Sequence, residues 1–181
     1  MNIDESSILK NLRDPSTVRV GFSMLVKQFS QSLYWKIRQI VLSHDDADDV
    51  LQNTFIKVWN NLDQFEGKSS LSTWLYRIAI NESLDFLRKK KQELDIDIDA
   101  DVSVANRLLA DDFFDGDEMQ ALLQEAISRL PEKQRVVFNM KYYDGMKYSD
   151  MSKILETTEG ALKASYHIAV QKITEFLKAH H

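Results

Sequence analysis

Residues 43–91 read SHDDADDVLQNTFIKVWNNLDQFEGKSSLSTWLYRIAINESLDFLRKKK. Val50, Leu51, Phe55, Val58, Trp59 and Leu62 recur at helical spacing, and Leu71, Trp74, Leu75, Ile78, Ala79, Leu84 and Leu87 do so again after a break at 65–70. Two amphipathic helices with one short interruption are therefore predicted. Ser43 with Asp46 three residues on resembles a capping box and opens the first of them. Asp45, Asp46, Asp48 and Asp49 then sit in its first turns, and the cations of 88–91 end the second; both placements suit the helix dipole. Gly67 is the only flexible residue of the break.

Working outward, Phe22, Leu25, Val26, Phe29, Leu33, Ile37 and Ile40 predict a long helix before this pair, with a break expected near Ser30 or Ser32. Beyond residue 118 four helices are predicted. Leu122, Leu123, Ala126, Ile127 and Leu130 mark the first, and Pro131 suits position N1 of the second, which carries Val136, Val137, Met140 and Tyr143. Asp144-Gly145 stops that helix, and Ser149 is placed to cap a short third helix containing Met151, Ile154 and Leu155. After the turn 156–158 a last helix runs from Glu159 to about Lys178. The fold class is all-α. Five glycines and two prolines in 181 residues exclude a turn-rich β protein, and the absence of cysteine excludes disulfides and thiolate chemistry.

The formal charge of −5 argues at first against a nucleic-acid partner, but its distribution reverses that reading. Residues 1–91 hold 13 Lys/Arg against 11 Asp/Glu, a net of +2; residues 92–118 hold one arginine against ten acids, a net of −9; residues 119–181 hold 9 against 7, again +2. An acidic segment between two weakly basic apolar ones reads as a linker, extended and largely disordered, joining a domain at 1–91 to one at 119–181. No apolar run is long enough for a membrane span, the N-terminus has no secretory pattern, and the expected compartment is the cytoplasm.

Two patterns carry chemistry. Residues 148–172 have the lengths of a helix-turn-helix, whose second helix would present Glu159, Lys163, Ser165 and His167 to the major groove; a plain helical hairpin fits the spacing equally well. The 67–70 loop with Trp74, Arg77, Asn81 and the cations of 88–91 suits single-stranded DNA, with cations on phosphates and an aromatic on a base; the alternative is a core Trp74 beside solvated lysines. The four histidines lack metal spacing, Asp45–Asp49 lacks the glycine and acceptor order of a calcium loop, and no nucleophile–base set or phosphate loop is present. No metal, no cofactor and no enzymatic activity are expected.

Together, 45–59, 65–81, 130–138 and 142–148, in that order, resemble bacterial RNA polymerase sigma factors of the extracytoplasmic-function (ECF) class, over about 20–91 and 119–177. The resemblance implies two helical domains, sigma regions 2 and 4, that work with core RNA polymerase, through its β′ clamp and β flap, and with promoter DNA. It implies polymerase contacts at Asp45, Asp48, Asp49, Gln52, Asn53 and Lys57. It implies a pocket for an unpaired minus-ten base around Gly67, Lys68, Ser69, Ser70, Trp74 and Asn81, with Arg77, Arg88, Lys89 and Lys90 on phosphates. Glu159, Gly160, Lys163, Ser165, Tyr166 and His167 would face the minus-35 duplex. An anti-sigma factor is the implied regulator. The acidic linker would thread the polymerase, either mimicking a nucleic-acid backbone in a basic channel or serving as a solvated spacer. Three departures stand out: Glu156 where the family usually has glycine, Ser152 where it has alanine, and Ser165 and Ile168 at positions often basic. A sigma-like decoy for an anti-sigma factor and an ordinary helix-turn-helix repressor are the rival readings.

Overall fold

The computed structural model describes residues 4–93, 104–110 and 116–180. Among these, the regular elements are helices, and they fall into two units, Met1–Phe86 and Leu87–His181.

The first unit is built on α1 (Glu5–Arg13), α2 (Val18–Val41), α3 (His44–Asn60) and the start of α4 (Leu71–Glu93). Leu25, Leu33 and Ile37 of α2, Ala47, Val50 and Val58 of α3, and Leu71, Leu75, Ala79 and Ile80 of α4 are buried and form its interior. The break expected near Ser30 or Ser32 is not there. Ser30 Oγ donates to the Val26 carbonyl at 2.5 Å and Ser32 Oγ to the Phe29 carbonyl at 3.1 Å, so both hydroxyls are satisfied by their own helix, which runs on. Leu42, in the left-handed region at φ 70°, ends it. Ser43 caps α3 as the spacing predicts, its Oγ accepting the Asp46 N–H at 3.1 Å. Helix α1 lies outside the sequence-derived helices. Asp4 caps it by accepting the Ser6 N–H, and its Ile8 is completely buried. Gly21 admits it: a Cβ there would stand 2.7 Å from the Leu12 nitrogen, so only glycine lets the α1 backbone approach α2 this closely.

The second unit holds α5 (Val104–Leu109), α6 (Glu118–Ser128), α7 (Glu132–Tyr142), α8 (Tyr148–Leu155) and α9 (Glu159–Ala179). Ala126, Ile127, Leu130, Phe138, Ala169 and Ile173 share one core. Pro131 is the N-cap of α7 rather than its first residue, and α8 starts from Lys147, leaving Ser149 inside the helix instead of capping it. Arg135 of α7 donates to the carbonyls of Ser128 and Leu130 at the end of α6, and burial lowers the pKa of its guanidinium.

The acidic segment contains a helix where extended chain was expected. Ala105 and Leu108 of α5 are buried with Ala121 of α6, and Glu125, itself buried, accepts the Ala105 N–H at 3.2 Å while its other oxygen takes the Arg129 guanidinium at 2.8 Å. Val104, Ala105 and Leu108 have helical spacing, which the charge total of the segment concealed. Residues 94–103 and 111–115, which carry most of the acidic tether, lie outside the described residues.

Candidate nucleic-acid and polymerase interface

Between the end of α3 and the start of α4 the chain makes a 3₁₀ turn (Leu62–Gln64) and the exposed loop 65–70. Gly67 sits at φ +72°, a conformation that costs a side-chain-bearing residue about 1–2 kcal/mol. Ser70 Oγ accepts the Thr73 N–H at 3.2 Å and so caps α4.

Under this loop is a hollow of about 430 Å³. Gly67, Lys68, Ser69, Trp74, Arg77 and Asn81 line it, which brings six of the sequence-derived site residues to one place. Asn61, Gln64, Phe65, Glu66 and Ile78 also line it; their signal, if any, was only proximity to the loop. Arg77 and Asn81 are exposed one helical turn apart, so their side chains share a face. The two readings of Trp74 merge: its half-buried indole lies 5.1 Å from the Phe65 ring, tilted by 49°, and still lines the hollow. Lys68 pairs with Glu66 at the rim. Ser70, Arg88, Lys89 and Lys90 stand outside the lining.

Lys57 reaches the same hollow and pairs with Glu82 of α4, although its sequence grouping was with the α3 acids. The other members of that group follow α3. Asp45, Asp49, Gln52 and Asn53 are exposed. Asp48 is half-buried, 3.5 Å from His44 Nε2, whose Nδ1 lies 2.7 Å from the Tyr34 hydroxyl. The same helix exposes Ile56 (60%) and Trp59 (40%), and with Arg19, Phe22 and Phe55 these form an apolar trough. Sequence periodicity puts Phe55 and Trp59 on the apolar stripe of α3; Trp59 packs against Phe22 in a T-shaped pair, ring centroids 4.9 Å apart, and stays 40% exposed.

In the second unit Glu156 occupies the left-handed region at φ 52° and ψ 43°, the conformation in which the family's glycine would be unstrained. Thr158 caps α9 by accepting the Ala161 N–H at 3.3 Å. Glu159, Gly160, Lys163 and His167 are exposed on the first turns of α9, and Ser165 is half-buried. Tyr166 turns inward and stacks on Phe138 at 5.8 Å, which separates it from the exposed set. Tyr148, which sequence reasoning passed over, lies beneath two cations: Lys141 Nζ is 4.9 Å and Lys163 Nζ 5.7 Å from its ring centre. Lys172 donates to Gln134 of α7 at 3.2 Å. Among the described residues no group of three or more acidic or histidine side chains could hold a metal, and no helix is long and apolar enough to cross a membrane.

A two-part helical chain with a polar hollow in one unit and a helix-turn-helix in the other defines a class of promoter-binding subunits, and comparison with known proteins agrees. The family described as Sigma-70 region 2 matches residues 25–93, and that described as Sigma-70, region 4 matches residues 120–173. The ECF RNA polymerase sigma factor SigW of Bacillus subtilis is 31% identical over 156 residues, which cover 81% of this chain and 83% of SigW. The ECF RNA polymerase sigma-E factor of Haemophilus influenzae is 27% identical over 153 residues, 80% of each chain. Among solved structures, CnrH in complex with the cytosolic domain of CnrY has the same fold with a TM-score of 0.68 at 21% identity, covering 98% of this chain and 96% of CnrH. The sigma factor RpoE of Bartonella quintana, solved with the anti-sigma factor NepR, gives 0.65 at 23% identity over 88% and 98%. The chain belongs to the ECF class of RNA polymerase sigma factors.

Proposed function

We propose that this sigma factor opens promoters by holding an unpaired minus-ten base in the hollow under loop 65–70. One observation carries the reading: a cavity of about 430 Å³, within the range of roughly 300–1,000 Å³ typical of small-ligand sites, is walled by an indole, an exposed asparagine amide and the three cations Lys57, Lys68 and Arg77. The Asn81 amide donates and accepts at a base edge, Trp74 offers a ring face for stacking, and Arg77 and Lys68 meet the flanking phosphates. Opening then draws on binding free energy and needs no nucleotide hydrolysis. Arg88, Lys89 and Lys90 extend the phosphate track along α4. The exposed face of α3, with Asp45, Asp49, Gln52, Asn53 and the apolar pair Ile56 and Trp59, is the proposed seat for the β′ clamp, and Asp48 serves through the pair it makes with His44.

Lys163 and His167 are proposed to meet the minus-35 duplex, with Glu159, Gly160 and Ser165 beside them, while Tyr166 supports the helix from behind. The second unit is the proposed partner of the β flap. An anti-sigma protein, such as RpoE of Bartonella quintana binds, is the proposed regulator, and the cytoplasm the proposed compartment. The test is run-off transcription with reconstituted holoenzyme on a genomic promoter library. Specific transcripts are expected. Their absence with folded, polymerase-bound protein defeats the promoter reading and leaves the decoy, which the sparse basic content of 159–172 favours.

A further inference from the structure

The first helix, α1, has no part in the proposed contacts, yet it meets the hollow's wall from behind. Glu5 Oε1 accepts the backbone N–H of Leu71, the first residue of α4, at 2.6 Å across 66 residues of sequence. Helix N-termini leave their first N–H groups without partners inside the helix. Here one is satisfied locally by Ser70 and another by a carboxylate that the fold brings from the other end of the unit. At its far end α1 presents Arg13, whose guanidinium lies 3.8 Å from where a Cβ at Gly67 would stand. Between these ends, Leu9, Leu12 and Arg13 line a crevice of only about 40 Å³ together with Leu62, Phe65 and Trp74.

Loop 65–70 is thus approached by one helix at three places: bonded at Leu71 just after it, beside Arg13 at Gly67, and across the crevice from Phe65 and Trp74. Trp74 lines both the crevice and the 430 Å³ hollow, so the face opposite the hollow is set by α1. The absence of a Cβ at Gly21 fixes α1 in turn by letting it sit directly on α2. A base-capture loop lacking regular structure needs outside support to present one geometry, because a loosely held site loses affinity to the entropy of ordering it.

We propose that Glu5 and Arg13 are positioning residues for the base-capture pocket: α1 holds loop 65–70 and Trp74 ready for an unpaired base without touching DNA. This rests on the pocket reading above. It predicts a selective defect: weaker capture of single-stranded DNA with undiminished attachment to polymerase.

The experiment uses the full chain reconstituted with cognate core polymerase. The probe is the single-stranded non-template minus-ten segment of a promoter that the wild-type holoenzyme opens. Glu5→Ala is expected to weaken binding of this DNA on the order of fivefold, the scale of losing one helix-capping group, and Arg13→Ala to weaken it by less, both with polymerase affinity unchanged. Glu5→Gln keeps a carbonyl acceptor at the same length and is expected to restore most of the binding. Arg13 is exposed, so its replacement keeps the test valid if Glu5→Ala fails to fold. Asn81→Ala is the reference. If it weakens the DNA while both α1 variants bind like wild type, or if the α1 variants lose polymerase and DNA in parallel, the bracing role is overturned. If Asn81→Ala also binds like wild type, the pocket reading itself has failed.

Discussion

The two DNA-facing regions solve recognition differently. The first unit builds a concave site, in which six residues predicted from a contiguous stretch converge on one hollow and a remote helix backs its wall. The second presents a convex helix whose exposed residues at 159–167 include one lysine and one histidine, with Tyr148 beneath the lysine. A hollow discriminates by shape and hydrogen bonds that water cannot replace cheaply, whereas a sparsely charged helix gains little from phosphate attraction. On the proposed reading, region 2 carries the sharper discrimination, and region 4 is a weak anchor whose few cations give it a shallow salt dependence.

The largest effect that could break this contrast belongs to Asn81. Asn81→Ala should lower promoter opening by roughly 10-fold or more, the scale of ~1–3 kcal/mol for an amide paired to a base edge, while polymerase affinity holds. Permanganate footprinting of the minus-ten region measures it, and normal opening would place discrimination elsewhere. A smaller effect is expected at Lys163. Lys163→Ala should weaken minus-35 duplex binding about equally across sequences and reduce the slope of log affinity against log salt by about 1. A loss confined to some sequences would instead make Lys163 a base reader. Smallest is an alkaline effect confined to the second unit. Burial, with the neighbouring Tyr142 adding to it, pushes the Tyr143 hydroxyl up to about 12, against the hydrogen bond from Gln124. Because the unfolded chain ionises its tyrosine near 10, stability associated with neutral Tyr143 is present below pH 10 and is lost as pH rises toward 12. Tyr143→Phe should flatten the fall in thermal midpoint over that window, and an unchanged profile would remove Tyr143 as its source.

Much of the hollow was legible because its residues are local. Gly67 to Asn81 span little more than a loop and three helical turns, and helical periodicity fixes which of Arg77, Ile78 and Asn81 share a face. That Lys57 also reaches the hollow was not legible, since its pairing with Glu82 joins residues 25 apart on two different helices. Trp59 shows a related limit. Helical spacing says that a residue lies on an apolar stripe, not whether another element arrives to cover it, and with Phe22 of α2 against it the indole is still 40% exposed. Tyr166 shows the converse: the residue grouped with the DNA-facing set also stacks its ring on Phe138, a contact no local pattern announces. In the acidic segment, net charge described the average and hid the short apolar stripe of α5.

Sequence alone determined the all-α class, the order of the main helices, the cap at Ser43 and the family, because periodicity, capping and motif order are local properties of the chain. Only the tertiary structure decided that α1 backs the loop, that Glu5 caps a helix starting 66 residues later, and that Gly21 lets the two backbones meet. Those relations depend on which surfaces exclude water together, and burial is shared between segments that the linear order keeps apart.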